Sequence, residues 1–339
     1  MAGNSSLGAA KVAKVDEFYT QLSDIESELR HYRGHFRGKT VLCNCDDPRV
    51  SNFFKYFALN FELLGLKRLI ATCYKNNEPD LFSQHECEQA VYIIYEGDKN
   101  GNKVPDPSEM EVMALQGDGD FRSAECIDLL KQADIVCTNP PFSLFREYIG
   151  QLYQYNKKFI IIGNMNAISY KEVFPLIKGN QLWLGYNNVK QFMRPDGTFQ
   201  QFGNVCWFTN LEISKRHEEL ILYKRYKKDE YLHYENYDAI EVPKLSDIPM
   251  DYDGIMGVSL SFLEVYNPEQ FEIIGSNCST ELVKELGVKR LGEDWIRRYR
   301  AAGGTGHNTA NMVRLVYNDW DGKPKVAYFR LLIRKRTTQ

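Results

Sequence analysis

The stretch DIVCTNPPFSLF, residues 134–145, places an asparagine, two prolines and a phenylalanine directly after a short apolar run. An asparagine side chain offers a carbonyl acceptor, and a residue before proline is held extended, so Asn139 has a restricted geometry. The backbone carbonyl of Pro140 can accept beside it, and the prolines at 140 and 141 remove N–H groups that would compete for these acceptors. Two acceptors that converge on one exocyclic amino group hold it by both protons, and Phe142 can stack on the planar base that carries it. The pattern indicates a site that binds the amino group of a planar base. The alternative is a rigid turn that ends the strand and has no function.

Three other segments end strand-like runs in polar or special residues. They are CNCDDP (43–48), TCYKN (72–76) and GDGDF (117–121). Ligands of open α/β sheets bind outside the carboxyl ends of the strands. We therefore expect these segments and TNPPF (138–142) to line one cleft.

The elements that must position these segments alternate between strands and helices. Strands are predicted at KTVLCN (39–44), KRLIATCY (67–74), DIVCT (134–138) and KFIIIGN (158–164). Between the first two, a helix is predicted with Asp47 as cap, Pro48 in its first turn and Gly65 at its end. This progression predicts an α/β fold with a mostly parallel sheet and helices on both faces.

Further turns and caps follow from local signals. Asn100-Gly101 predicts the turn of an inserted hairpin, and Asp196-Gly197 predicts a second hairpin. Ser143 is the expected cap of the helix after NPPF, with Phe145, Ile149 and Leu152 facing inward. The pair Ser169 and Glu172 predicts a capping box at a later helix.

The composition is that of a folded protein with a sizeable core. The chain has 339 residues, 43% of them hydrophobic, which suits one large domain or two ordinary ones. No run approaches the roughly 18 apolar residues of a membrane span, and the N-terminal sequence lacks the apolar stretch of a secretory signal, so a cytoplasmic location is expected. The eight cysteines are scattered. Because no second ligand pair follows Cys43 and Cys45, we expect reduced thiols and no metal.

Charge is distributed unevenly along the chain. The net charge of −3 by itself argues against a nucleic-acid partner. From Lys284 to the end, however, there are 13 Lys and Arg against 5 Asp and Glu, whereas residues 1–283 hold 29 and 40. Arginines mixed with aromatics and glycines, as in WIRRYRAAGGTGHNT (295–309), suit phosphate contact and base stacking, although a merely solvated surface has the same composition. With a change of pattern near residue 215, this predicts one domain at 1–215 and a second region at 216–339 that contacts nucleic acid.

Several ordered motifs resemble those of amino-methyltransferases that use S-adenosylmethionine. TNPPF matches their (Asn/Asp)-Pro-Pro-(Tyr/Phe) motif, DEFYTQ (16–21) is similar to a segment that folds over the cofactor in DNA adenine methyltransferases, and GDGDF resembles their element that meets the cofactor's adenine. Together with CNCDDPRVSNFFKYF, GVSLSFLEVYNPEQFEII and YFRLLIRKR, these motifs resemble the EcoRI adenine methyltransferase family. The resemblance spans roughly residues 16–275 and returns at the C-terminus.

This resemblance implies a fold, a reaction and partners. The fold would be a Rossmann-like class I methyltransferase sheet with helices on both faces. Residues 1–215 would bind S-adenosylmethionine and carry catalysis, and the smaller C-terminal region, 216–339, would recognise the DNA target. The reaction would be methyl transfer from S-adenosylmethionine to N6 of an adenine flipped out of double-stranded DNA, in a bacterial or phage enzyme related to type II restriction-modification systems. No obligate protein partner is implied, and a monomer is expected.

The motifs and the charge pattern also give candidate site residues. The catalytic candidates are Asn139, Pro140, Pro141 and Phe142. The candidates for binding the cofactor are Phe18, Tyr19, Thr20, Asn44, Asp46, Pro48, Asp118, Gly119, Phe121 and Asn139. The DNA-binding candidates are Arg194, Arg297, Arg298, Arg300, His307, Asn308 and Arg334.

The match to methyltransferases is incomplete, and two other functions stay open. CNCDDP replaces the usual Gly-rich loop, and TCYKN lacks the acidic residue expected to hold the cofactor's ribose, so Asn44 or Asp46 is expected to do so. The match fades between 276 and 327. One alternative is the same chemistry on guanine in ribosomal RNA or on glutamine in a protein. The other is a non-catalytic nucleic-acid-binding module.

Overall fold

The computed structural model describes residues 19–45, 51–73, 90–102, 104–194 and 197–336. The chain forms two compact units. The first comprises residues up to Ile168 together with Leu182–Glu212, and the second comprises Ser169–Gln181 together with the residues from Ile213 onward. Each unit contains its own sheet.

The first unit is a mixed α/β structure. Its strands are β1 (Tyr19–Thr20), β2 (Thr40–Cys43), β3 (Arg68–Thr72), β4 (Val91–Tyr95), β5 (Met110–Ala114), β6 (Ile135–Thr138), β7 (Lys158–Asn164), β8 (Trp183–Met193) and β9 (Phe199–Thr209). Its α-helices are α1 (Leu22–Leu29), α2 (Arg33–Phe36), α3 (Asn52–Leu59), α4 (Phe61–Leu64), α5 (Ala124–Gln132) and α6 (Phe145–Gln154).

These nine strands form one sheet in the order β1-β8-β9-β7-β6-β2-β3-β4-β5. The four central strands β7, β6, β2 and β3 are parallel, and all residues of β2 and β6 are buried, as parallel strands covered on both faces require. The outer strands pair antiparallel. The α/β prediction is confirmed. The expected mostly parallel sheet is wrong, because antiparallel hairpins extend both edges and make the sheet mixed.

The two predicted hairpins differ in how well local sequence located them. The one at Gly197 is confirmed, since β8 and β9 pair antiparallel around it and Gly197 has φ +80°. Asp196 lies outside the described residues. The other hairpin is confirmed as well, since β4 pairs antiparallel with β5. Asn100-Gly101 lies within the connection at residues 96–109, and Gly101 has φ +80°, but this connection is longer than a two-residue turn.

Helix ends were predicted less well than helix faces. The helix after β2 starts at Asn52 with Ser51 as its cap, whose Oγ accepts from Phe54 N at 3.4 Å, and the chain turns at Asn60 into α4. Asp47 and Pro48 lie outside the described residues. Gly65 ends α4 with φ +62°, as predicted.

Two predicted caps are wrong. Ser143 lies within a 3₁₀ turn at Phe142–Leu144, and the position before α6 is Leu144. The predicted inward residues of α6, namely Phe145, Ile149 and Leu152, are buried as expected. At Ser169 the chain ends a 3₁₀ turn, and the next helix begins only at Phe174, because Pro175 suits the first turn of a helix and fixes its start there.

A buried carboxylate joins α1 to β8. Glu28 is fully buried and accepts hydrogen bonds from Tyr32 Oη at 2.8 Å, Tyr186 N at 2.8 Å and Asn187 N at 2.8 Å. A Cβ at Gly185 would collide with this carboxylate. Several donors to one buried carboxylate offset its desolvation, so Glu28 fixes α1 against β8.

The second unit contains the remaining described elements. They are α7 (Phe174–Lys178), β10 (Leu232–His233), β11 (Ala239–Val242), β12 (Ile255–Val258), β13 (Phe271–Ser276), α8 (Thr280–Glu285), α9 (Gly292–Ala301), β14 (Val316–Asn318), β15 (Pro324–Val326) and β16 (Leu331–Lys335). Five strands form a sheet in the order β10-β11-β12-β16-β13, and β14 pairs with β15. Trp295 of α9 packs with Leu291 and Val316 in a small buried cluster. Within the described residues, no helix has both the length and the apolar character that crossing a membrane requires.

Candidate active site and surface cations

The NPPF segment begins where the central strand β6 ends. Asn139 follows β6 directly and is 8% exposed, and Pro140 after it is buried. Leu144 N donates to Pro141 O at 3.0 Å, which closes the 3₁₀ turn that carries Phe142. The segment is therefore a fixed loop at the carboxyl edge of the parallel strands, where chemistry was predicted.

The neighbouring strand end is tied to this loop through Asn44. The Thr138 hydroxyl donates to the backbone carbonyl of Asn44, and the Tyr148 hydroxyl donates to the Asn44 side-chain carbonyl. All three residues are buried. Burial raises the pKa of Tyr148 well above its usual value, so its hydroxyl stays protonated and can donate. The predicted CNC and TNPPF segments thus share one buried hydrogen-bonded cluster.

The GDGDF loop joins the same cluster. The ring of Phe121 meets that of Tyr148 edge to face, with centroids 5.0 Å apart. The carbonyl of Phe121 accepts from Gln151 Nε2 at 2.9 Å. Helix α6, which directly follows the NPPF turn, therefore holds both Asn44 and Phe121. The structure brings together three of the four segments that the sequence placed in one cleft.

Hydrogen bonds set the shape of the GDGDF loop. The half-buried Asp118 accepts from Asp120 N at 2.9 Å, and Gly119 has φ +81°, a conformation that favours glycine. Arg122 pairs with Asp120 at 2.7 Å and with Glu147 of α6 at 2.8 Å. The hydrogen bond from Arg122 holds the pKa of Asp120 below its usual range. The loop is thereby fastened to α6 on its exposed side as well.

The predicted N-terminal segment reaches this region through β8. Thr20 is buried, and its register partner in β8 is Phe192. The Thr20 carbonyl accepts from Asn52 Nδ2 at 2.8 Å, which links it to the helix after the CNCDDP loop. Phe18, Asp46 and Pro48 lie outside the described residues, as does the fourth predicted segment beyond Cys73, and of Tyr19 only the backbone is described.

Phe142 belongs to an aromatic cluster that sequence reasoning missed. Its ring centroid lies 6.3 Å from those of Phe192 and Phe202, which are 5.5 Å from each other. Both partners come from the β8–β9 hairpin, and the cluster places that hairpin beside the NPPF turn. The alternation of apolar residues in β8 and β9 was a usable signal for strands. It could not reveal which loop the phenylalanines would meet.

Cys45 has a left-handed backbone, with φ +80°. This conformation costs a non-glycine residue about 1 kcal/mol or more in free energy. Such a conformation persists only where the surrounding structure requires it. It stands directly after β2, where the general methyltransferase pattern has glycines. No group of three His, Cys, Asp or Glu side chains placed to hold a metal ion occurs among the described residues.

The predicted DNA-binding residues occupy varied environments. In the first unit, Arg194 donates to Gln200 across the β8–β9 hairpin. In the second, the Arg300 guanidinium donates to Gly304 O at 2.9 Å, His307 is exposed and Asn308 is buried. Because Asn308 is buried, it cannot meet a base without a change in its loop.

Three of the predicted arginines are neutralised within the protein. Arg297 pairs with Asp294 at 2.8 Å, Arg298 with Glu235 at 2.6 Å and Arg334 with Glu272 at 2.9 Å. The charge pattern of the sequence gave no sign of the pairs with Glu235 and Glu272, because these glutamates are distant in sequence from Arg298 and Arg334. An arginine in such a pair must give up its carboxylate partner to contact a phosphate. This loss reduces the free energy that the arginine contributes to DNA binding.

The sequence model of a protein family described as "Adenine-specific methyltransferase EcoRI" matches residues 6–336 of the chain. The chain is 51% identical over 294 residues to the type II methyltransferase M.EcoRI of Escherichia coli, which covers 80% of this chain and 89% of the relative. It is 40% identical over 289 residues to the type II methyltransferase M.MgeORF184P of Mycoplasma genitalium, covering 78% of this chain and 84% of that protein. For the type II methyltransferase M.MpnI of Mycoplasma pneumoniae the identity is 38% over 286 residues, covering 78% and 83%. No solved structure matches the chain significantly.

Proposed function

The chain belongs to the EcoRI adenine-specific methyltransferase family, and from that premise we propose that it is a type II, site-specific DNA methyltransferase that methylates N6 of adenine in double-stranded DNA. S-adenosylmethionine is the methyl donor that this family implies. The observation that carries the assignment of the site is the buried cluster of Asn44, Thr138, Tyr148 and Phe121, which joins three predicted motifs at one edge of the sheet.

The residues of the GDGDF loop fit a bound nucleoside. Asp118 supplies a half-buried carboxylate acceptor, Gly119 allows close approach of the backbone, and Phe121 supplies an aromatic ring. We assign them to the cofactor's adenine, with Asn44 near the ribose and Tyr19 and Thr20 toward the methionine end. Phe18, Asp46 and Pro48 complete the proposed set.

In the proposed reaction, the NPPF loop binds and orients the target amine. The side-chain carbonyl of Asn139 and the backbone carbonyl of Pro140 accept the two amine protons, and Phe142 stacks on the base. S-adenosylmethionine supplies an electrophilic methyl group. Pro141 adds rigidity, so the acceptors need no rearrangement when charge develops on the nitrogen, and preorganised acceptors of this kind lower barriers. The amine loses a proton easily once it is cationic, so no strong base is required.

The target adenine must leave the DNA stack to reach Asn139. Extrusion of a base costs a few kcal/mol, and stacking and hydrogen bonds in the pocket offset that cost. We propose that the first unit is the Rossmann-like catalytic domain and that the second reads and holds the DNA, with contacts from Arg297, Arg298, Arg300 and Arg334, from His307 and Asn308 near them, and from Arg194 on the hairpin. A monomer that works in the cytoplasm, without an obligate protein partner, belongs to the same proposal.

Methyl transfer from labelled S-adenosylmethionine tests the function directly. The purified protein is offered duplex DNA, ribosomal RNA and a mixed protein extract in separate reactions. Label in DNA alone, at N6 of adenine within one short sequence, is the expected result. Label in RNA or protein would assign the same chemistry to another substrate. No label in any of them, despite cofactor binding measured by calorimetry, would leave a non-catalytic binding module and overturn the proposal.

A further inference from the structure

Cations on the surface of the second unit differ in whether a carboxylate pairs with them. Ion pairs engage Arg297, Arg298 and Arg334. Three other cations, Lys289, Arg290 and Arg314, are also exposed. Among the described residues, no carboxylate lies within ion-pair distance of any of these three. Their full charge is therefore available to a partner.

A single buried asparagine joins the two backbone segments that carry Lys289 and Arg314. Asn236 is 8% exposed, and its Nδ2 donates to both Lys289 O at 2.8 Å and Arg314 O at 2.6 Å. Its Oδ1 accepts from Val316 N at 3.2 Å, and its backbone carbonyl accepts from Lys289 N at 3.1 Å. Because one nitrogen binds both carbonyls, the two basic segments must lie side by side.

The pairing of these segments sets like charges against each other. Arg290 and Val313 form an antiparallel bridge, and Leu291 N donates to Met312 O at 3.0 Å. Continued by one residue, this register places Lys289 opposite Arg314. Like charges directly opposite across an antiparallel pair are destabilising. An anion that binds between them removes the repulsion and adds attraction.

An exposed aromatic residue stands beside the cations. The antiparallel register of β14 and β15, extended by the bond from Ala327 N to Leu315 O at 2.9 Å, places Tyr328 opposite Arg314. Tyr328 is 79% exposed, and Asn277 Nδ2 fixes its carbonyl at 2.8 Å. An exposed aromatic residue at a strand position opposite Arg314 suits a nucleic acid, which offers both phosphates and base or sugar faces, better than a small inorganic anion.

We propose that Lys289, Arg290 and Arg314 form a phosphate-binding cluster that grips the backbone of duplex DNA, with Asn236 as its positioning residue. This inference rests on the proposed function, because it takes DNA as the partner. It moves the main electrostatic contact away from the ion-paired Arg297, Arg298 and Arg334. The cluster contacts phosphates of any sequence and therefore contributes affinity and not base specificity.

The test compares two triple variants of the full chain. K289Q/R290Q/R314Q removes the cluster, and K171Q/R225Q/K227Q removes three exposed cations of the same unit that are each paired with a carboxylate. Binding of a fluorescein-labelled, mixed-sequence duplex is followed by anisotropy between about 50 and 200 mM salt. Loss of each phosphate contact should flatten the slope of log affinity against log salt by about 0.9, so the cluster variant should lose up to about 2.7. In the control variant, the slope should change by well under about 0.9 for the three substitutions together.

Two further measurements separate the possible failures. K289R/R290K/R314K keeps the charges and should keep the wild-type slope. S-adenosylmethionine binding should stay the same in every variant, and no variant should melt appreciably below the wild-type temperature. An unchanged slope in K289Q/R290Q/R314Q overturns the cluster alone, provided that the wild-type protein methylates DNA. An equal loss in the charge-keeping variant would assign the effect to structure and also overturn it. If the wild-type protein neither binds nor methylates duplex DNA, the proposed function itself fails.

Discussion

The polar side chains with proposed functions differ in burial between the two units of the protein. In the first, Asn44, Thr138 and Tyr148 are buried and satisfy one another beside Asn139. In the second, the groups proposed to contact DNA are mostly exposed cations, and some of them pair with carboxylates. A buried cluster fixes geometry, because each lost partner leaves a costly unsatisfied group. An exposed cluster supplies charge, which water and salt screen.

The largest effect of a substitution is expected at Asn139, on the rate of methyl transfer. Asn139→Ala removes a preorganised acceptor, so kcat should fall by about 10²–10³, while S-adenosylmethionine affinity should fall less. Single-turnover kinetics on a methylatable duplex, with calorimetry for the cofactor, measure both quantities. Ser143→Ala, an exposed neighbour on the same loop, is the matched control and should retain the wild-type rate. Turnover of Asn139→Ala near that of the wild type would break the assignment.

The second prediction probes the buried cluster itself. Tyr148→Phe leaves the Asn44 side-chain carbonyl without its buried donor, which should lower the free energy of unfolding by about 1–3 kcal/mol and slow methylation. Urea denaturation gives the first value. Tyr155→Phe is the control, since the hydroxyl of Tyr155 makes no hydrogen bond to a described residue, and it should change stability by less than about 0.5 kcal/mol. Equal stability of the two variants would show that the cluster does not hold the site.

A smaller effect is expected at the cofactor loop. Asp118→Ala should weaken S-adenosylmethionine binding about tenfold, equivalent to about 1.4 kcal/mol, because one acceptor for the adenine is lost. Asp118→Asn keeps the acceptor for Asp120 N but removes the negative charge. This variant therefore separates the effect of the loop's shape on cofactor binding from the effect of the charge. Isothermal calorimetry measures both variants, and the sequence preference for DNA should not change. Unaltered affinity in Asp118→Ala would show that the loop does not meet the cofactor.

The smallest effect concerns single arginines on the second unit. Arg300→Gln should flatten the salt dependence of DNA binding by about 0.9, the value for one phosphate contact. Arg297→Gln should change it by less than half as much, because Arg297 gives up an ion pair with Asp294 when it binds. Anisotropy titrations over a salt series compare the two. Equal slopes for the two variants would remove the distinction between paired and unpaired cations.

Sequence reasoning located what is encoded locally. Asn139 and its prolines, Gly65 at the end of α4, and the hairpin at Gly197 depend on the backbone preferences of a few adjacent residues, and the structure has them where they were predicted. Phe192 and Phe202 join Phe142 only through strand register. The pair of Arg298 and Glu235 likewise needs two segments to pack. Such contacts depend on tertiary packing, which local propensity does not encode. The helix predicted to start at the capping box of Ser169 begins instead at Phe174, because Pro175 fixes its first turn there.

The pairing of β1 with β8 has a consequence for synthesis on the ribosome. Thr20 leaves the exit tunnel long before its register partner Phe192, and chain growth at about 5–20 residues per second separates them by roughly 10–30 s. During that interval β1 lacks β8, the strand with which it pairs in the folded protein. Completion of the nine-stranded sheet must therefore wait for the β8–β9 hairpin, and a nascent chain stalled before residue 193 should fail to acquire the N-terminal part of the proposed cofactor site.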